Sequence, residues 1–153
     1  MYHFRQVVDG DFDLLFEILR STMQPYYVQA FGQWDDALER KYLADSLKEY
    51  RYEVIIFAGS IIGCWARREG ASGIFLAEMQ ILPAYQSQGH GRRLLRRLLD
   101  EATQGQLCVQ LEVLTVNERA RRLYERLGFK VVGSTMTHHK MHWQPELNET
   151  GTI

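Results

Sequence analysis

Ile81-Leu82-Pro83-Ala84-Tyr85-Gln86-Ser87-Gln88-Gly89-His90-Gly91-Arg92 is the stretch from which the rest of the chain can be read. A strand from Ile74 to Leu82 enters it, and Pro83 ends that strand because proline cannot donate to a ladder. A helix leaves it at once. Leu94, Leu95, Leu98, Leu99 and Ala102 recur at helical spacing, with Arg92, Arg93, Arg96 and Arg97 mostly on the wet side. Backbone amides at such a junction have no partner inside the helix, and the helix dipole adds positive potential in front of them. Glycines at 89 and 91 let an anion approach without meeting a Cβ. The junction therefore suits a phosphate or a pyrophosphate. A P-loop would need lysine and then serine or threonine where Arg92-Arg93 stand, and a dinucleotide fingerprint would need glycine where Leu94 stands. On this pattern alone, an ordinary glycine-rich turn accounts for the residues equally well.

Downstream, Leu107, Val109, Leu111 and Val113 alternate as a strand, which makes a β-α-β unit with a parallel pair. Ala120, Leu123, Tyr124 and Leu127 give a further helix ended by Gly128, and Phe129 to Trp143 reads as two strands bending near Gly133-Ser134. Upstream, Glu53 to Trp65 reads as two strands joined at Gly59-Ser60, and Gly70 to Gly73 as a second turn. Tyr2 to Val7 alternates as a first strand. Asp11 offers an N-cap to a helix carrying Phe12, Leu15, Phe16 and Leu19. Gln24 to Gln33, with Pro25 and Gly32, reads as irregular, and a second helix starts at Asp35 or Asp36. The order β-α-α-β-β-β-α-β-α-β-β predicts an α/β fold. Its sheet is mixed and mostly antiparallel, of about seven strands, with a central parallel pair.

The 153 residues suit one domain, expected over 1–143, with 144–153 as a flexible tail. With 46% hydrophobic residues a packed core is within reach, and a net charge of -1 argues against a nucleic-acid binder. Cys64 and Cys108 match no metal spacing and suggest a reduced, intracellular setting. Asp9, Asp11, Asp13 and Glu17 exclude a signal peptide, and no apolar run reaches the ~20 residues of a membrane span. The expected location is cytoplasmic. His138, His139 and His142 do not suggest a metal site, because 138 and 142 would lie ~13 Å apart on a strand while 139 points away.

Gln86-x-x-Gly89-x-Gly91 after a proline-ended strand resembles the acetyl-CoA pyrophosphate loop of the GNAT superfamily of N-acyltransferases. Asn117-Glu118-Arg119-Ala120-Arg121-Arg122-Leu123-Tyr124-Glu125-Arg126-Leu127-Gly128-Phe129 resembles that family's second block, and the element order matches its fold. The resemblance implies an N-acetyltransferase that uses acetyl-CoA, without a metal, on a primary amine of a small molecule or peptide. It implies that the segment Met79-Gln80-Ile81 pairs its main chain with the pantetheine arm, that a β-bulge here splays the strand from the next parallel one, and that a backbone N–H near Ile81 stabilises the oxyanion. Gln86, Ser87, Gln88, Gly89, His90, Gly91 and Arg92 would hold the pyrophosphate, and one of the four arginines after Gly91 the 3′-phosphate. Asn117 caps the last helix and, by resemblance, touches the cofactor.

By the same resemblance Tyr124 protonates the leaving thiolate, although its place in an apolar stripe also fits simple packing. Glu112 precedes Asn117 by five positions. The catalytic glutamate of GNAT enzymes that acetylate ribosomal-protein N-termini does the same, so Glu112 is the first candidate base. Glu78, an acid in an apolar strand facing away from Met79 and Ile81, is the second. A carboxylate paired with arginine, and no side-chain base at all, remain alternatives. Tyr26, Tyr27, Phe31 and Trp34 are candidates for the acceptor side. A homodimer is compatible with the resemblance. The rival reading is a non-catalytic acetyl-CoA-binding sensor or interaction domain.

Overall fold

The computed structural model describes residues 1–146. In chain order it contains β1 (Tyr2–Gln6), α1 (Phe12–Phe31), α2 (Asp36–Glu49), β2 (Arg51–Phe57), β3 (Ser60–Gly70) and β4 (Gly73–Ile81). These are followed by α3 (His90–Gln104), β5 (Val109–Leu114), α4 (Glu118–Arg126), β6 (Lys130–Ser134) and β7 (His138–Trp143). The strands form one sheet in the order β1-β2-β3-β4-β5-β7-β6, antiparallel throughout except for β4 and β5. The mixed α/β architecture read from the sequence is the one that forms. Of the expected flexible tail, residues 147–153 lie outside the described residues.

Each face of the sheet carries its own core. Leu94, Leu95, Leu98 and Ala102 of α3 and Tyr124 of α4 pack on Ile62, Trp65, Ile74, Leu76, Leu111 and Met141. Leu15, Phe16 and Ile18 of α1 and Leu43 of α2 cover Tyr52, Val54, Cys64 and Ala66 on the other face. Arg67, almost fully buried, ties β3 to α3 through Glu101 at 3.0 Å, which fixes the far end of that helix.

Three local expectations are corrected. The first hairpin turns at Ala58-Gly59, not Gly59-Ser60. Both residues have positive φ (50° and 79°), the type I′ geometry whose twist matches the flanking strands. Helix α1 does not break at Pro25 but runs to Phe31, closed by Gly32 at φ 82°. Buried apolar contacts along α1 outweigh the one hydrogen bond that proline removes. Asp11 does not cap α1. Its carboxylate accepts from Val8 N (2.9 Å) and Arg5 (2.8 Å), closing the short 3-10 turn before the helix.

The irregularity that matters for the site is in β4. Pairing with β3 steps from Ala66↔Glu78 to Arg67↔Leu76, so Ala77 is an extra, bulged residue. Strict alternation would put Glu78 on the same face as Ile74 and Leu76. The bulge reverses the parity. Met79 and Ile81 then share the α3 face, and Glu78 lies opposite Ala66 on the α1/α2 face.

Candidate active site

β4 and β5 pair only over Ile74–Leu76 and Val109–Leu111. Past that point β4 continues to Ile81 and β5 to Leu114 without a shared ladder, and the sheet is split. Leu82 N donates to Ile62 O of β3 at 2.8 Å. Successive residues of a strand present their main-chain groups to opposite edges, so those of Met79 and Ile81 point into the split. The Ile81 carbonyl already accepts from Gln86 Nε2 at 2.8 Å, which leaves its amide.

At one end of the split lies a cleft of about 330 Å³ lined by Met79, Gln80, Ile81, Gln86, Ser87, Gly89, His90, Gly91 and Arg92. Among the described residues, the amides of Ser87 through Arg92 meet no protein acceptor, whereas Gln86 N donates to Pro83 O at 3.3 Å. Gly89, at φ 83°, precedes α3 without a side-chain cap. The loop is held from behind. Arg93 Nη2 donates to Gln88 O (3.1 Å), Gln88 Nε2 to Ala84 O (3.2 Å), and Arg119 Nη2 to Ser87 Oγ (2.6 Å). The His90 ring is buried against Phe57 and bonds to Tyr2 OH at 2.8 Å, so only the backbone of His90 faces the cleft side. Arg93 is committed to Tyr2, and Arg97 lies over Phe4. Arg92 remains at the cleft, joined by Arg119 and Arg126 of α4, which the sequence reading missed. Their signal was the arginine content of α4, unreadable until the fold brings α4 beside α3.

At the other end a second cleft of about 290 Å³ is lined by Tyr27, Tyr50, Phe75, Glu78, Glu112, Tyr124 and His138. Met23, Met79, Gln80, Asn117, Ala120 and Tyr124 line both clefts, so the two are halves of one slot. Asn117 caps α4 through Ala120 N at 3.2 Å. Tyr124 is 9% exposed and packs edge-on against Phe129. Its hydroxyl makes no hydrogen bond among the described residues. Burial, reinforced by Glu78, pushes that hydroxyl up to about 12, so it stays protonated at any working pH. Tyr26 lines the first cleft and Tyr27 the second. Trp34 lies in an adjoining cavity, and Phe31 lies outside all three.

The two carboxylates differ. Glu112 lies on an exposed position of β5 opposite Lys140. Glu78 accepts from Gln80 Nε2 (2.9 Å), yet burial, with a smaller contribution from Glu39, raises it to about 6. A carboxylate raised in the fold contributes its full stability below its ordinary value of 4.5 and loses it as pH rises through about 6. Above that, ionised Glu78 destabilises the fold by about 2 kcal/mol, on the scale of 1.36 kcal/mol per pH unit. Glu78→Gln is therefore expected to unfold at higher urea than the parent at pH 8 and at the same urea at pH 4. Equal midpoints at pH 8 would remove the burial penalty.

Residues 48–131 match the family model described as an acetyltransferase (GNAT) domain. The chain belongs to that family. It is a family of acyltransferase enzymes. A segment of 59 residues is 49% identical to N-alpha-acetyltransferase RimI of Mycobacterium tuberculosis, covering 39% of this chain and 36% of that protein. The chain thus matches only about a third of that relative's length. The whole chain superposes on the ribosomal-protein-S18-alanine N-acetyltransferase of Escherichia coli (TM-score 0.71, 22% identity, all of both chains). A PaiA N-acetyltransferase from Thermoplasma acidophilum, solved with coenzyme A, covers 94% of this chain and 99% of its own (TM-score 0.73, 18% identity). These likenesses establish the GNAT fold. Among the described residues no helix is long and apolar enough to cross a membrane.

Proposed function

We propose that this chain transfers an acetyl group from acetyl-CoA to a primary amine by direct attack with both substrates bound. One observation carries the reading. The split between β4 and β5 joins the acceptor-free amides of Ser87–Arg92 to the unpartnered Tyr124 hydroxyl. Those amides, at the positive end of α3, suit a pyrophosphate, and Arg92, Arg119 and Arg126 suit a further phosphate. The main chain of Met79 and Ile81, turned into the split, is available to a pantetheine amide as an added strand. Bound acetyl-CoA supplies an activated acyl thioester.

The chain's own groups do the rest. The Ile81 amide is the donor for negative charge that builds on the thioester oxygen. Glu112, at the mouth of the second cleft, takes the proton from the attacking amine, directly or through water. Tyr124 gives its proton to the departing sulfur. Holding amine and thioester in one slot removes much of the entropic barrier. The elevated pKa of Glu78 favours a second reading in which it is the base, since a carboxylate near 6 accepts a proton more readily at neutral pH. The domain is proposed to span 1–143.

The likeness to proteins named for N-alpha and ribosomal-protein alanine acetylation makes peptide N-termini one acceptor class to test beside small amines. The test is thiol release from acetyl-CoA across a panel of both. Coenzyme binding without thiol release from any acceptor would favour the non-catalytic sensor.

Gly89→Val tests the loop. A β-branched residue at φ 83° is strained by ~1–2 kcal/mol, and relaxing it turns the neighbouring amides away. Coenzyme A affinity is expected to fall at least ~tenfold. Wild-type affinity by isothermal titration would contradict the pyrophosphate assignment.

A further inference from the structure

The acceptor half of the slot does not end at Glu78. A third cavity of about 280 Å³ lies beneath α1 and α2, walled by Tyr27, Trp34, Tyr42, Tyr52, Glu39 and Glu78. Met23, Tyr27, Ser46 and Glu78 line both this cavity and the acceptor cleft, so the one leads into the other. Three of its rings are fixed. Tyr27 packs on Trp34 with centroids 5.2 Å apart, Trp34 Nε1 donates to Asp36 at 2.6 Å, and Tyr52 OH bonds to Ser46 Oγ at 2.7 Å.

The carboxylates of this chamber lack a cation. Among the described residues the Glu39 carboxylate makes no ion pair or hydrogen bond, and the Glu78 carboxylate accepts only from the neutral Gln80 amide. Two arginines lie over Phe16 of the cavity wall, and both are paired with other carboxylates. Arg20 pairs with Glu17 and Asp36, and Arg40 with Asp13. Burial holds both chamber carboxylates above the usual range, which is the signature of negative charge without a partner. An anionic or purely apolar guest would worsen that penalty. An organic cation would relieve it and would also gain from the ring faces.

We propose that the chamber binds a second ammonium group of the acceptor, so that the preferred acceptor is an aliphatic diamine rather than a monoamine. This rests on the amine acylation proposed above, because the reacting amine is taken to lie in the cleft beside Tyr124. The second ammonium then sits between Glu39 and Glu78, with Tyr27, Trp34, Tyr42 and Tyr52 around it. Glu78 becomes an anchoring carboxylate, and Glu112 keeps the proton transfer.

Two measurements separate the chamber from the chemistry. Hexamethonium, a dication with no transferable hydrogen, is titrated calorimetrically into the coenzyme A complex of the full chain. Saturable binding is expected, weakened roughly tenfold in Glu39→Gln and in Tyr42→Leu. Both residues lie on the partly exposed α2, where neither change threatens folding. In thiol release, kcat/KM for putrescine should exceed that for n-butylamine by roughly tenfold. Glu39→Gln should abolish that advantage and leave butylamine turnover unchanged. Absence of hexamethonium binding, equal binding by both variants, or equal use of putrescine and butylamine would overturn the proposal. Glu39-dependent hexamethonium binding with no thiol release from any amine would sustain the chamber and defeat the acylation reading. A lysine advantage in alanyl-lysine over alanyl-norleucine peptides, without one for putrescine, would overturn the diamine in favour of a basic peptide.

Discussion

Tyr124→Phe is expected to lower kcat about a hundredfold while KM for acetyl-CoA and thermal stability barely change. The ring is buried against Phe129, and phenylalanine fills the same space. The hydroxyl bonds to nothing else among the described residues, so its loss breaks no native contact. What disappears is the proposed proton donor at the junction of the two clefts. General acid catalysis contributes ~10²–10⁴ in rate. A thiolate is a fair leaving group even unprotonated, which places this case at the low end. The measurement is steady-state kinetics with thiol detection, paired with a melting curve. An unchanged kcat would take tyrosine out of the proton transfer and leave it a packing residue.

The choice of base is decided by two other variants. Glu78 raises the pKa of Tyr124, so the two groups are electrostatically linked across the slot. If Glu78 takes the amine's proton, the pH profile of kcat/KM falls off near 6 and loses that limb in Glu78→Gln. If Glu112 takes it, Glu112→Gln loses kcat while Glu78→Gln keeps the parent's kcat. A diamine anchored by Glu78 would move KM more than kcat in the first variant.

Much of this was legible in the residues because periodicity and punctuation reported it directly. The alternation of Leu107 to Val113, the stripe of Leu94 to Ala102 and the glycines at 89 and 91 each encode a local geometry that the tertiary structure leaves in place. What failed to show were features that only long-range packing decides. Pro25 reads as a breaker, yet α1 passes through it, anchored by Leu15, Phe16 and Ile18 buried in its first half and by the Tyr27–Trp34 ring contact beyond the proline. The turn at Ala58-Gly59 was missed because alanine rarely takes a positive φ, and the strand register forces it to. The bulge at Ala77 has no mark in the residues themselves, and only the family resemblance implied one in that strand. It nevertheless decides which face Glu78 occupies. Tyr27 and Trp34 were legible as acceptor-side candidates, but Arg119, Arg126 and the Glu39, Tyr42 and Tyr52 walls of the chamber were not: their parts come from segments brought together only in the folded chain.

Gly63→Ala is expected to have the largest effect on stability, about 3–5 kcal/mol, enough to unfold a marginal domain. Gly63 lies on β3 opposite Ile81. A Cβ there would sit 1.9 Å from Gln80 O and 3.1 Å from Ile81 Cα. Both are backbone atoms of β4, so no side-chain rotation relieves the overlap, and the strand itself has to move. Its freedom is small, because Leu82 N is bonded to Ile62 O at 2.8 Å and Ile62 is fully buried. The backbone entropy that alanine saves in the unfolded chain, ~0.4–1 kcal/mol, does not offset such a collision. Gly133→Ala is the matched control, since a Cβ there meets nothing within 4 Å. The urea midpoints of the two variants should therefore differ by about 2 M, at an m-value of ~2 kcal/mol/M, with Gly133→Ala near the parent. Any Gly63→Ala protein that folds should also lose thiol release, because the displaced Gln80 and Ile81 form the wall of the slot. A Gly63→Ala protein within ~1 kcal/mol of the parent would mean that β3 and β4 do not approach so closely, and the aim of the Ile81 amide would have to be drawn anew.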